Sequence, residues 1–140
     1  MKIFKLKRIE KVDFLLLKRP TTPNSFLACP KDFYSLTSDK ETPIFKYTIN
    51  DAVYAWDQTI SQLERTKEII KLTRNNQKTY VQRSKIMGYP DIITVQFEKI
   101  SIETSGITLY SRSQYGYSDL GVNKKRVTKL LSKFLELLAY

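Results

Sequence analysis

Between residues 91 and 115 the chain alternates. In DIITVQFEKI, Ile93, Val95 and Phe97 fall on one side of an extended backbone and Thr94, Gln96 and Glu98 on the other. A period of two describes a strand with one apolar face, because successive side chains on extended backbone point to opposite sides. After a turn ending in Ser105-Gly106, GITLYSRSQY repeats the pattern, with Ile107 and Leu109 on the apolar side and Thr108, Tyr110, Arg112 and Gln114 opposite, as a polar surface. Upstream, TKEIIKL and KTYVQRSKIM flank the polar turn Arg74-Asn75-Asn76-Gln77. Short turns join antiparallel neighbours, so these runs predict a four-stranded antiparallel sheet that needs an apolar cover on one face.

Two helical segments can supply the cover. YTINDAVYAWDQTISQL places Val53, Trp56, Ile60 and Leu63 on one stripe, and Thr48 followed by Asp51 resembles a capping pair. Near the C-terminus, Val127, Leu130, Leu131, Phe134 and Leu138 form a second stripe, with Lys124, Lys125, Lys129 and Lys133 mainly off it and Asn123 read as the N-cap. Both stripes require the same apolar face, which predicts one α+β domain with the two helices touching on one side of the sheet, Trp56 and Phe134 buried between them. The cations in the first turns of the second helix oppose its dipole and call for an acidic partner or an anion at its start.

A chain of 140 residues fits one domain. Residues 1–19 read as a basic amphipathic extension and residues 20–140 as the domain. The extension, MKIFKLKRIEKVDFLLLKR, has Phe14 to Leu17 as its longest apolar run, too short for a signal peptide or a membrane span. Ile3, Leu6, Ile9, Val12 and Leu16 recur every three or four residues among lysines. That spacing suits a basic helix on an anionic membrane surface, a peripheral location, and equally an extension packed on its own domain or on a partner subunit. In either form the extension is expected to be separable from the stability of the domain. Residues 20–43 hold four prolines and read as a long irregular wrapping segment, pinned by Phe26, Leu27, Phe33, Tyr34 and Leu36.

Composition narrows the chemistry. The chain has no histidine and one cysteine, which excludes Ser-His-Asp and Cys-His triads, CxxC pairs and internal disulfides. No metal site, cofactor motif or glycine-rich phosphate loop is legible. The net charge of +10 is concentrated at the ends, with +5 in residues 1–23 and +4 in residues 123–140. A non-catalytic binding or assembly module follows, one that recognises an anionic carboxylate or phosphate group or a membrane-associated partner, such as a membrane protein complex. The alternatives are a histidine-independent enzyme and a nucleic-acid-binding protein. The charge is not interleaved with the tyrosines, which argues against a base-stacking surface.

The densest polar stretch is YSRSQYGYSDLGVNKKR, residues 110–126. Arg112 from this stretch, Arg83 from YVQRS and Arg126 from the second helix could join Tyr110, Ser113, Tyr115, Tyr117, Asp119 and Asn123 in a pocket for a small anion, guanidinium forks binding such groups bidentately. The same residues could instead form a structural network in which Arg83 or Arg112 pairs with Asp119 or Asp91. In both readings Arg83, Arg112 and Tyr115 converge near Asp119.

The runs YVQRSKIMGYPDIITVQFE and YSRSQYGYSDLGVNKKRV, with RPTTPNSFLACP upstream, resemble the family catalogued as domain of unknown function 1499, from about Arg19 to the C-terminus. In that family a YVQRS strand, a PD turn and a YSRSxYGYSDxGVNxxRV strand-to-helix segment follow in this order. The resemblance implies a bacterial or plastid-type protein associated with envelope or thylakoid membranes, and implies no activity. This chain departs from the pattern in showing no signal peptide or membrane segment, and in having Ser25 after Pro23-Asn24 and Cys29 later, where other members have a cysteine-bearing PNxC-like version of the upstream motif.

Overall fold

The four alternating runs are strands in the structure, a computed structural model that describes residues 4–139, and two further strands lie beside them. In chain order the elements are β1 (Ser25–Pro30), β2 (Lys40–Thr42), α1 (Ile49–Ile60), β3 (Thr66–Ile70), β4 (Gln77–Arg83), β5 (Pro90–Lys99), β6 (Ser105–Ser113) and α2 (Val122–Ala139). They build one α+β unit around a six-stranded sheet in the order β2-β1-β6-β5-β4-β3. The β1–β2 pair is parallel and the other pairs are antiparallel. The expected four-stranded, wholly antiparallel sheet is therefore corrected to six strands of mixed direction, and the segment expected to be irregular supplies both additions.

The prolines conceal those strands without breaking them. The β1–β6 ladder ends at Ala28, so no bond to β6 is required of Pro30, and Pro43 follows the last residue of β2. Gly106 lets the two strands approach here, since a Cβ on it would meet Pro30 Cγ at 3.1 Å and Ile44 Cδ1 at 3.2 Å.

Both helices cover the face that carries Tyr80, Ile93, Val95, Phe97, Ile107 and Leu109. Trp56 and Phe134 are fully buried, their rings in an edge-on contact at 6.3 Å, so the helices do touch. Trp56 Nε1 donates to Tyr80 Oη at 3.0 Å, which satisfies the indole inside the core. Thr48 caps α1 by accepting from Asp51 N at 3.2 Å. Thr48→Ala is expected to cost about 1 kcal/mol in urea unfolding, and no measurable change would show that the cap is idle.

The opposite face is not a solvated polar surface. Thr94 and Thr108 are fully buried there, and Glu98 is nearly so. Residues 4–17 cross this face as a strap with no helix, closing in a tight turn where Leu16 N donates to Asp13 O at 3.1 Å. Side chains of the sheet serve as its hydrogen-bond partners. Lys7 N donates to Gln114 Oε1 at 2.9 Å, and Val12 exchanges bonds with the Gln77 amide at 2.9 and 2.7 Å. Phe14 is inserted against Leu27 and Tyr110 in a second, smaller core. Three-to-four spacing of apolar residues thus arises here without a helix. Ile3, the first residue of that pattern, lies outside the described residues.

Candidate functional site

The predicted site residues divide between the two faces of the sheet. On the helix face, Arg126 Nε donates to Gln82 Oε1, Nη1 to Ser111 Oγ and Asn123 Oδ1 at 3.0 and 2.7 Å, and Nη2 to Asp91 Oδ2 at 2.9 Å. Asn123 is fully buried, its Nδ2 donating to Asp119 Oδ2 at 2.6 Å, Ser113 Oγ at 2.9 Å and Asn24 O at 3.1 Å. The network joins β4, β5 and β6 to the first turns of α2. Asn123 is inside the helix and is not its N-cap; Asp119, three residues before the helix, supplies side-chain acceptors to its start, accepting from Gly121 N at 2.8 Å and Asn123 N at 3.1 Å. The acid expected at this helix start is therefore supplied by the chain itself.

Electrostatics follow from burial and partners. Burial pushes the Asp91 carboxyl above the usual aspartate range even though Arg126 opposes the shift. Partial burial also works against ionisation of Asp119, but hydrogen bonds from Asn123 and from backbone N–H groups outweigh it and hold that carboxyl below the usual range. With Arg126 bonded to four neighbouring side chains, this cluster is built to hold the sheet and helix together.

Arg83, Arg112, Tyr110 and Tyr115 are on the strap side. Arg83 Nη1 donates to Phe4 O at 2.7 Å and Gly88 O at 2.8 Å. Tyr115 Oη donates to Lys5 O at 2.6 Å, and the Phe4 ring packs 4.4 Å from Tyr89 and 5.0 Å from Tyr115. Arg112 Nη1 donates to Thr94 Oγ1 at 2.8 Å and Tyr110 O at 3.3 Å, with its guanidinium 4.6 Å above the Tyr110 ring. Among the described residues Arg112 has no carboxylate partner. Desolvation lowers its pKa to about 10. Tyr117 is exposed. The expected convergence of Arg83, Arg112 and Tyr115 on Asp119 does not occur, because Arg112 alternates with Ser111 and Ser113, the two serines that meet Asn123.

A cleft that the sequence reading did not single out lies where the strap returns to β1. It encloses about 520 Å³ and is lined by Arg19, Thr21, Thr22, Ser25, Thr37 and Asp39, with Pro20, Pro23 and Leu36 completing its walls. Arg19 donates from Nη2 to Asp39 Oδ2 at 2.5 Å and Ser25 Oγ at 3.1 Å, and from Nη1 to Thr37 O at 3.2 Å. Its Nε is buried and has no hydrogen-bond partner. Ser25 stands directly opposite Arg112 in the β1–β6 register, but the Arg112 guanidinium is directed to Thr94 of β5 and is not part of the lining. The local signal in the sequence is an arginine followed by hydroxyls and prolines, RPTTPNS, but the Asp39 contribution comes from a distant position.

Among the described residues no cluster of histidine, cysteine, aspartate and glutamate could hold a metal ion, and no helix is long and apolar enough to cross a membrane. The family described as "Protein of unknown function (DUF1499)" matches residues 16–134. No curated protein and no solved structure matches the chain.

Proposed function

The chain belongs to this family of unknown function, and from that premise we propose that it is a non-catalytic binding module whose Arg19 cleft receives a carboxylate or phosphate group. The observation that carries the reading is the buried, unpartnered Arg19 Nε. A buried donor without an acceptor is costly, and buried polar groups are paired in the great majority of cases, so an anion oxygen at Nε would recover the lost bond.

The lining supports the same occupant. Asp39 is its one carboxylate, and it engages Arg19 through Nη2, which leaves the Nε edge of the guanidinium for a ligand oxygen. An anion there would meet the guanidinium in a site partly withdrawn from water, where such contacts are strong. Thr21, Thr22 and Ser25 add hydroxyls, and the volume suits a small organic anion. Catalysis finds less support. Ser25 Oγ accepts from Arg19, and the one carboxylate of the lining, Asp39, already accepts at Oδ2 from Arg19 and from Leu27 N.

Thermal unfolding in phosphate, in citrate and in chloride at matched ionic strength tests the reading. Phosphate or citrate should raise the wild-type melting temperature by several degrees, since an anion at ~100 times its Kd stabilises by about 2.7 kcal/mol. Arg19→Lys keeps the charge and loses Nε, so the anion-specific increment should disappear whatever the variant's own baseline. An equal increment in both proteins, or none in the wild type, would contradict the assignment.

A further inference from the structure

One end of the sheet exposes large apolar side chains at the tips of its loops. The turn between β4 and β5 presents Ile86, 86% exposed, and the loop from β6 to α2 presents Tyr117 at 71% and Leu120 at 94%. The loops are neighbours. Gln114 N donates to Pro90 O at 3.3 Å, and the Phe4 ring packs against both Tyr89 and Tyr115. Leu120 is held at φ +53°, in the left-handed region that disfavours any residue with a Cβ. A bulky apolar residue is thus fixed in unfavourable backbone and pointed at water.

The charge around these tips is positive. Lys5, Lys85, Lys124 and Lys125 are exposed, and Lys7 Nζ lies 4.3 Å above the Tyr115 ring. The acids at this end are occupied: Asp91 pairs with Arg126, Asp119 accepts hydrogen bonds at the start of α2, and Glu64 pairs with Arg65 at 3.0 Å. Separate apolar tips set among free lysines do not make the continuous apolar patch that a folded protein partner would cover. They suit a surface that is fluid, anionic at its phosphates and apolar just beneath, where each tip can enter and each lysine can meet a headgroup.

We propose that this end of the sheet, carrying Ile86, Tyr117 and Leu120 among Lys85, Lys124 and Lys125, docks on an anionic lipid bilayer. The docking surface borders the start of the strap, where Phe4 and Lys7 pack on Tyr115, and is distinct from its later part, whose Val12 and Phe14 are turned to the sheet. Ile86, Tyr117 and Leu120 do not line the Arg19 cleft.

Co-sedimentation with vesicles of phosphatidylcholine alone, and of phosphatidylcholine mixed with phosphatidylglycerol, tests the proposal. The full chain should bind the anionic vesicles, bind the neutral ones far more weakly, and be released as salt approaches about 1 M, where charges are screened within ~3 Å. Ile86→Ser with Leu120→Ser should weaken binding at least about tenfold while leaving the melting temperature unchanged, since both side chains are solvent-exposed. Leu15→Ser with Leu16→Ser, on the strap turn, should bind like the wild type. Failure to bind anionic vesicles, undiminished binding by the first pair, or loss of binding through the strap pair would each overturn the assignment.

Discussion

Arg126→Ala should destabilise the protein by roughly 3–5 kcal/mol and lower its melting temperature by about 10 °C. The ion pair with Asp91 is nearly closed to solvent, the two side chains being 9% and 11% exposed. Removing the guanidinium leaves an uncompensated carboxylate in a site where burial already opposes ionisation. It also takes a donor from each of Gln82, Ser111 and Asn123, and Asn123 has no exposure through which water could replace it. Urea unfolding measures the loss directly. Arg126→Lys should restore only part of it, because a single ammonium cannot span Gln82 and Asp91 as the fork does. A cost below about 1 kcal/mol would mean that the network is incidental to holding α2 on the sheet.

Removal of residues 1–17 should be as damaging, lowering the melting temperature by more than about 10 °C and exposing apolar surface to a hydrophobic dye. Without the strap, Leu27 and Tyr110 lose Phe14, and the Gln77 amide loses both bonds to Val12. Phe14→Ala alone should cost about 3 kcal/mol, as large-to-small changes at buried aromatic positions do. Part of the gain is offset by the entropy of ordering the strap, which is why the side-chain variant is the sharper of the two measurements. Unchanged melting after truncation would restore the separable extension expected from the sequence and make the second face of the sheet stable in water.

The parts of the fold that were legible in the sequence are those in which neighbours along the chain are neighbours in space. Ile93, Val95 and Phe97 mark a strand by their own spacing, and Thr48 with Asp51 marks a helix start across four residues. β1 is different, since its pairing of Leu27 with Tyr110 is set by a partner more than eighty residues away and its own run is short and bracketed by Pro23 and Pro30. The strap escaped for a related reason. Its hydrogen bonds go to side-chain amides of Gln77 and Gln114, which no periodicity records.

The candidate site shows the same division. Asn123 has the residue type of an N-cap, but a buried position facing Ser111, Ser113 and Asp119 turns it into the centre of a network. Ser113, Asp119, Asn123 and Arg126 do assemble, and Arg83, Arg112, Tyr110 and Tyr115 lie across the sheet from them with other partners. The alternation that placed Thr108, Tyr110 and Arg112 on one face was sufficient to separate Arg112 from Ser111 and Ser113. What alternation could not give is the strap over that face, or the meeting of Arg19, Ser25 and Asp39 beside it.

The most direct measurement on the Arg19 cleft is a nitrogen–proton correlation spectrum of the arginine Nε–Hε groups, recorded while inorganic phosphate is titrated against a chloride background of equal ionic strength. Arg19→Lys identifies the Arg19 resonance by its disappearance. The expected result is a saturable shift of that resonance, with little movement of Arg126, whose Nε already donates to Gln82. Small unsaturating shifts shared by every arginine, as from general screening, would contradict an anion site at Arg19.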